Sequence, residues 1–206
     1  MTSPSQWATV PRGLPGAELL ERAVGYTRAA LQLVGCVDLH APTPCAGWDL
    51  TDLLGHMDDS LAAFTEAAEI GYVDLVPVVG NREQDTGLVL VERLRARACA
   101  LLAAWSHHEE PAEAHHIGVS PRRELRSDLL AAAGALEIAV HGSDVARACG
   151  ASRPVPAGLA LELLDVVPVL VADLDRPHRF AAALDVPLHS SPSSRLLATL
   201  GRDPRS

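Results

Sequence analysis

Two histidines and one glutamate have the residue types and spacing of a metal site. Glu137 and His141 stand four residues apart in the segment SDLLAAAGALEIAVHGSDVARACG, which spans 127–150. On a helix, residues at this spacing have Cβ atoms about 5–6 Å apart, so a carboxylate and an imidazole can both reach one metal ion. Asp144 shares their sector of roughly 60°, at about 100° per residue. We expect Asp144 either to orient one of these two side chains or to face solvent.

His56 is the third candidate ligand. It follows the segment GWDLTDLLG, which begins at Gly47, and it lies at the edge of an apolar stripe. Together with Glu137 and His141 it would complete a His2Glu set, which leaves coordination positions open, as in catalytic zinc sites. These residue types alone leave a second interpretation open. In that interpretation the Glu137 sector is the solvent-exposed face of its helix, and His56 is a surface histidine.

Helices must position these residues, because helical periodicity dominates the sequence. Apolar residues recur every three or four positions, and prolines and glycines separate the periodic segments. The predicted helices cover 15–37, 49–70, 86–106, 127–150, 156–174 and a shorter piece at 194–200. This pattern predicts an all-α fold. A four-helix bundle is expected over residues 1–150, with a small C-terminal helical extension over 151–206 packed on it.

Capping residues and loops complete the predicted layout. Asp49 or Thr51 is expected to cap the second helix, and Ser127 or Asp128 the fourth, because short polar side chains accept hydrogen bonds from free N–H groups at a helix start. The polar, proline-containing stretch 106–124 is predicted to be a loop or an irregular excursion. Signals for β-strands are weak throughout the chain.

Composition and charge exclude several classes of protein. Of the 206 residues, 48% are hydrophobic and 21% are charged, which is typical of a folded domain rather than a disordered chain. The net charge of −9 argues against nucleic acid and anionic membranes as partners, because both need a basic surface. The longest apolar run, 166–172, is too short to span a bilayer, and the N-terminus has no signal-peptide pattern.

The cysteines and the basic residues indicate the compartment and the source. The four cysteines form no CxxC pair and fit no zinc-finger spacing, so we expect reduced thiols in a cytoplasmic protein. All 17 basic residues are arginine, which indicates a GC-rich genome such as that of an actinobacterium. A small-molecule substrate is the expected partner, and the sequence leaves the oligomeric state open.

Three segments resemble landmarks of a single protein family: PTPCAGWDLTDLLGHM at 42–57, EIAVHGSDVARACG at 137–150 and SRLLATLGRDP at 194–204. They are similar to the mycothiol-dependent maleylpyruvate isomerase-like metal-binding family, within the DinB-like helical-bundle superfamily. The resemblance implies a DinB-like four-helix bundle. It also implies a divalent metal ion, usually zinc, bound by His56, Glu137 and His141, and the small thiol mycothiol as cofactor or co-substrate.

The sequence departs from the family pattern at two positions in these segments. Ser143 stands where the family usually has tryptophan, and Ala46 stands where it commonly has proline. A serine in place of a large aromatic residue is expected to widen the pocket or to mark a different substrate. Ser143 points about 140–160° away from the Glu137 sector. We therefore expect it to affect substrate choice more than metal binding.

Together these features predict a metal-dependent enzyme of the mycothiol-dependent isomerase or S-transferase type. A metal-bound thiolate or water would act on a small electrophilic substrate, because a bound metal lowers the pKa of a thiol and the thiolate is the nucleophile. Two alternatives stay open. One is a thiol-independent biosynthetic or resistance enzyme on the same scaffold, and the other is a non-catalytic metal-binding bundle.

Other polar and aromatic residues are expected to have structural or solvated roles. Cys45, in a proline-rich turn, is predicted to be a small packing residue rather than a nucleophile. Trp48 is predicted to anchor the start of the second helix in the core. Solvent exposure rather than metal binding is expected for four histidines in the acidic loop, His107, His108, His115 and His116.

Overall fold

The computed structural model describes residues 16–73, 85–106, 116–120, 123–173, 176, 180–187 and 189–204. Its helices and strands, in chain order, are α1 (Gly16–Leu31), α2 (Leu50–Ile70), α3 (Gly87–Ser106), β1 (His116–Ser120), β2 (Arg123–Arg126), α4 (Ser127–Ala148), α5 (Ala157–Leu170) and α6 (Pro192–Thr199). A short 3-10 turn, Val34–Cys36, follows α1. The chain divides into two compact units, with the boundary between Pro154 and Val155.

The first unit is a four-helix bundle. α1 packs against α4, α4 against α2, α2 against α3, and α3 against α1, so that the four helices enclose one core. Aliphatic side chains fill this core: Leu20, Leu53, Leu94 and Ala139, one from each helix, are all 0–1% exposed. The predicted all-α helical-bundle fold is confirmed.

α1 and α4 run in the same direction and lie close together. Thr27 Oγ1 donates a hydrogen bond of 2.8 Å to the Ile138 carbonyl. Leu20, earlier on α1, lies against Gly134, earlier on α4. At the next contact a Cβ added to Gly142 would lie 2.2 Å from Thr27 Oγ1. Glycine at this position therefore allows the two helices to approach each other.

α2 runs opposite to α4, so the middle of one helix faces the middle of the other. Phe64 lies against Gly134. Ser60, one turn earlier on α2, reaches the side chain of Glu137, about one turn later on α4. This antiparallel arrangement places the candidate ligand of α2 beside the candidate ligands of α4.

α3 packs on another side of α2 and runs in the same direction as α2. The Arg97 guanidinium of α3 pairs with the buried Asp58 carboxylate of α2 at 2.7 Å. Further along both helices, Trp105 Nε1 donates a hydrogen bond of 3.1 Å to the Phe64 carbonyl. These two contacts fix the register of α3 on α2.

The predicted capping is confirmed for α2 and wrong for α4. The Asp49 carboxylate accepts a hydrogen bond from the Asp52 N–H at 2.9 Å, and the Asp52 carboxylate accepts one from the Asp49 N–H at 3.1 Å. At α4 the cap position is Arg126, one residue before the predicted Ser127, and no side chain caps it. The physical reason is that β2 leads directly into α4, where the Asp128 carboxylate pairs with the Arg126 guanidinium.

A short antiparallel hairpin of β1 and β2 overlaps the stretch 106–124, which is predicted to be a loop. The residues directly after α2 extend this pairing. The Val73 N–H donates to the Gly118 carbonyl at 2.8 Å, and the Gly118 N–H donates to the Gly71 carbonyl at 3.0 Å. Within β1 the structure buries Ile117, which is 2% exposed. Strands this short carry too few alternating residues for a sequence signal.

α5 and α6 pack together in the second unit. Leu159 and Leu163 of α5 and Leu196 of α6 are 0–1% exposed, so a small apolar contact joins the two helices. The predicted roles of 1–150 as the bundle and of 151–206 as a C-terminal extension stay a proposal.

Among the described helices, α4 is long and apolar enough to cross a membrane by length and composition alone. However, 89% of its most apolar window is buried inside the structure. A helix that packs against neighbours on most sides is expected to be apolar all round. Burial in the bundle is sufficient to account for the composition of α4.

Two glycine substitutions test the close approach of α1 and α4. We expect Gly142→Ala to destabilise the protein by about 1–3 kcal/mol, because the new methyl group would overlap Thr27. Gly25→Ala is the matched control, since it lies within α1 and its added Cβ would meet nothing within 4 Å. This control should stabilise the protein by about 0.5–1 kcal/mol. Urea denaturation measures both effects, and equal stability of the two variants would contradict the predicted packing.

A charge pair at the start of α2 gives a pH-dependent contribution to stability. The hydrogen bond of 2.9 Å between His40 Nδ1 and the Asp49 carboxylate, together with the Asp49 charge, raises the pKa of His40 above 6.5. The pair stabilises the folded protein when His40 is protonated and Asp49 is ionised. As far as His40 is concerned, this stabilisation is fully present below pH 6.5, its ordinary pKa, and it is lost as the pH rises through the raised pKa of His40.

The variant Asp49→Asn separates this charge effect from helix capping, because asparagine is also a good capping residue. We expect the pKa of His40, measured by NMR titration, to fall back toward its ordinary value in the variant. An unchanged pKa of His40 would show that Asp49 does not cause the shift.

Candidate functional site

α2 and α4 bring the three predicted metal ligands together. Glu137 Oε1 lies 2.5 Å from His56 Nε2 and 3.2 Å from His141 Nε2. The two imidazole rings have centroids 5.0 Å apart and an interplanar angle of 81°. One ligand atom from each residue lies within 4.8 Å of the other two. One carboxylate and two imidazole nitrogens therefore converge between the helices.

Burial distinguishes between the two interpretations of the Glu137 sector. His141 is 7% exposed and Asp144 is fully buried, so the interpretation of this sector as a solvent-exposed face is wrong for both residues. The Glu137 and His56 side chains keep 29% and 36% of their surface exposed. The cluster therefore has a buried side at His141 and an accessible side at His56.

The charges of Glu137 and His141 are coupled. Burial alone would raise the pKa of Glu137, but the positive charge of His141 and hydrogen bonds from both histidines hold this pKa well below 4.5. Burial would lower the pKa of His141, but the charge of Glu137 and a hydrogen bond to Asp144 raise it well above 6.5. Glu137 is thus an anion near neutral pH, which is the form in which a carboxylate binds a metal.

The donor set fits a divalent metal ion such as zinc. Zinc binds imidazole nitrogen and carboxylate oxygen at about 2.0–2.2 Å, so two ligand atoms on one ion lie within about 4 Å of each other. The three side chains already lie within 4.8 Å, and small side-chain movements would bring them onto one ion. Three protein ligands would leave further coordination positions open.

Asp144 lies on the other side of the His141 ring from Glu137. Its Oδ2 accepts a hydrogen bond from His141 Nδ1 at 3.1 Å. When the hydrogen of a neutral imidazole is on Nδ1, the lone pair is on Nε2, the nitrogen that faces Glu137. A carboxylate in this position orients a metal-binding histidine. The geometry supports the orienting role, one of the two roles expected for Asp144.

Cys45 contacts the same cluster, although the sequence pattern did not assign this residue to the site. Its thiol donates to Asp144 Oδ2 at 3.5 Å, and its Sγ lies 3.9 Å from His141 Nδ1. The predicted packing role is therefore wrong, because the half-buried thiol contacts polar groups. The turn before α2, closed by the Thr43 N–H donating to the Trp48 carbonyl, brings Cys45 there. No spacing rule predicts a contact across 96 residues.

Trp48 also lies at the site, and its predicted position in the core is wrong. It is 37% exposed. Its ring centroid lies 4.9 Å from that of His56 and 6.4 Å from that of His141, with which it stacks at 26°. The turn that precedes the Asp49 cap directs the indole across the two imidazoles instead of into the bundle.

Ser143 faces away from the candidate ligands, as the helical geometry of α4 predicts. It is 3% exposed and hydrogen bonds the hydroxyl of Tyr26, which in turn donates to the Arg153 carbonyl at 2.5 Å. Its surroundings are thus the contact between α1 and α4. Ser143 does not line the cavity that opens beside Glu137.

A cavity of about 400 Å³ opens beside Glu137. All four helices of the bundle line it, and Ser60 and Glu137 form part of its wall. Ser60 Oγ donates a hydrogen bond of 3.2 Å to Glu137 Oε1. The volume is within the range of small-molecule sites, about 300–1,000 Å³. The candidate metal ligands therefore border a space that can hold a small molecule.

Of the four loop histidines, His116 is the one that lies among the described residues. His116 is exposed at the start of β1, in agreement with the solvated role expected for it. Three of the four lie outside the described residues: His107, His108 and His115.

Comparison with known proteins gives a family and a fold. The family model "Mycothiol maleylpyruvate isomerase N-terminal domain" matches residues 20–146. Two solved structures are similar to this one. They are the mycothiol-dependent maleylpyruvate isomerase, with a TM-score of 0.52 and 18% identity, and a variant of it with one histidine replaced by alanine, with a TM-score of 0.53 and 16% identity. Each match covers 79% of this chain and 70% of the chain in the solved structure. At these sequence identities the likeness shows the fold alone.

Two curated relatives come from Mycobacterium tuberculosis, one from strain CDC 1551 / Oshkosh and one from a second strain. Both are uncharacterized proteins. Each is 29% identical over 199 residues, which covers 90% of this chain and 96% of the relative. Their names state no activity.

We predict that the three converging side chains are each needed to hold one zinc ion. The variants His56→Ala, Glu137→Gln and His141→Ala should each lose most of the zinc that the wild type retains, because a three-ligand site has little affinity with two. Asp144→Asn should weaken zinc binding by about 10–100-fold through the orientation of His141. Elemental analysis after zinc reconstitution and dialysis measures these effects.

His40→Ala is the matched control, because His40 is an exposed histidine outside the cluster. It should bind as much zinc as the wild type. A wild type that remains metal-free after reconstitution, or a His40→Ala protein that loses as much zinc as His56→Ala, would refute the assignment.

Proposed function

The chain belongs to the mycothiol maleylpyruvate isomerase N-terminal domain family, and from this premise we propose that it is a metal-dependent enzyme that adds a small thiol to an electrophilic substrate. The observation that carries the proposal is the convergence of His56, Glu137 and His141 beside a cavity of small-molecule size. A non-catalytic metal-binding bundle would need no such cavity. The proposed metal is zinc, the proposed thiol is mycothiol, and the reaction class is isomerase or S-transferase.

The charge of the site favours a thiolate. A divalent ion held by the three side chains would supply the positive charge that lowers the pKa of a thiol, so that thiolate is available near neutral pH. With both histidines neutral, Glu137 is the one charged ligand among them. The centre would then keep a net positive charge and attract an anion. Because the pKa of His141 is raised in the metal-free protein, a bound metal would displace the proton of His141, since only the neutral imidazole is a ligand.

Hydrogen bonds from neighbouring residues hold these side chains in place. Asp144 accepts the Nδ1 hydrogen of His141 and so directs Nε2 toward the other two side chains. Ser60 donates to Glu137 Oε1 and limits the rotation of the carboxylate. These contacts reduce the reorganisation needed when a ligand binds.

Trp48 and the cavity both lie beside the cluster. The indole ring centroid is 4.9 Å from that of His56 and 6.4 Å from that of His141, while the His56 side chain stays 36% exposed. Glu137 and Ser60 form part of the cavity wall, so a substrate bound in the cavity would lie beside the cluster. Such chemistry requires a reduced thiol, so we place the protein in the cytoplasm.

Calorimetric titration with mycothiol tests this proposal. We expect the zinc-loaded protein to bind mycothiol, whereas the metal-free protein and the Glu137→Gln variant should bind it at least tenfold more weakly. The physical reason is that only the intact centre offers the positive charge that stabilises the thiolate. Binding should also release close to one proton per thiol at pH 7, which is measured by repeating the titration in buffers of different ionisation enthalpy.

Equal binding to all three proteins would refute the thiolate role. The thiol-independent enzyme on the same scaffold would then be the better interpretation. Zinc binding without any binding of mycothiol would have the same consequence. Cys149→Ser is the matched control, because Cys149 lies at the end of α4 outside the cluster, and it should bind mycothiol as the wild type does.

A further inference from the structure

The cavity beside Glu137 has a composition that indicates what it holds. Its wall is made of side chains from α1, α2, α3 and α4, and most of them are apolar. The large apolar residues of the wall are Leu31, Met57, Leu61, Leu94, Leu102 and Ile138. Polar side chains also line this space of about 400 Å³, but apolar atoms form most of its surface, so it favours a molecule with an apolar body over water.

Two arginines add positive charge to this apolar wall. Arg28 of α1 and Arg95 of α3 both line the cavity. Arg95 pairs with Glu92, whose charge offsets it. Within the part of the chain that the structure describes, no carboxylate pairs with the exposed Arg28. Among the described residues of the wall, Glu137 is the single acidic one, and it belongs to the candidate metal cluster.

From this arrangement we propose that the cavity binds a molecule with an apolar body and one anionic group, such as a medium-chain carboxylate. The apolar body would lie among the aliphatic side chains, and the anion would pair with Arg28. In the metal-free protein a compact dicarboxylate is disfavoured, because its second charge would lie against apolar surface, and Arg95, the other arginine of the wall, already pairs with Glu92. The assignment of this molecule as the substrate rests on the proposed function, but its binding does not.

Binding of octanoate to the full-length, metal-free protein tests the proposal. Calorimetry should show that octanoate binds more tightly than octanol, which lacks the charge, and than succinate, which lacks the apolar body. Arg28→Gln should weaken octanoate binding by about threefold to tenfold and leave octanol binding unchanged. Arg22→Gln, on the same helix but not on the cavity wall, is the matched control and should change neither.

A second measurement locates the bound molecule without depending on a variant that must fold. Cys99 is exposed and lines the cavity, whereas Cys149 lies at the end of α4 and does not line it. Octanoate should slow the modification of Cys99 by a maleimide reagent and leave that of Cys149 unchanged, as followed by mass spectrometry of peptides. Filling the cavity with Ala98→Trp should abolish octanoate binding.

Three results would overturn the proposal: succinate binding as tightly as octanoate, octanoate binding that is insensitive to Arg28→Gln, or equal protection of Cys99 and Cys149. Failure of the proposed function gives a different result. A protein that binds octanoate but neither zinc nor mycothiol would end the proposed function and leave the cavity assignment intact. A protein that binds zinc and mycothiol but not octanoate would end the cavity assignment alone.

Discussion

The placement of the Glu137 carboxylate between two imidazoles is the contact on which the rest of the site depends. It joins α4 to α2 through His56 at 2.5 Å, and it joins adjacent turns of α4 through His141 at 3.2 Å. A carboxylate inside a bundle is costly unless charged or hydrogen-bonding partners compensate its desolvation. Together with the contact of Phe64 with Gly134, this pairing sets the faces of α2 and α4 against each other.

The approach of α1 to α4 determines the space that remains beside this carboxylate. Gly134 and Gly142 carry no side chain at the contact, so that Leu20 and Thr27 of α1 lie directly against the backbone of α4. The interior among the four helices is not filled, and the cavity opens there beside Glu137. The metal cluster and the cavity thus share one wall, so a molecule in the cavity would lie next to the cluster.

The two nitrogens of His141 connect different parts of the protein. Nε2 faces Glu137, whereas Nδ1 faces the buried Asp144 and, more distantly, the thiol of Cys45. The turn that carries Cys45 also carries Trp48, which stacks over the same ring. A change in the turn before α2 would therefore reach the candidate metal ligands through direct contacts, without any movement of the bundle helices.

The sequence by itself determined the features that depend on residues close together in the chain. The 3.6-residue periodicity predicted the helices of the bundle, Asp49 identified the start of α2, and Glu137 and His141 are paired because a helix turn brings residues four apart together. Local spacing cannot bring His56 to Glu137 across 81 residues, and only the combination of residue types and the family resemblance predicted that they meet. Tertiary structure alone decided the position of Cys45, 96 residues from His141, and the cavity. The reason is that helix packing sets these distances, and packing depends on surfaces contributed by all four helices rather than on any local spacing.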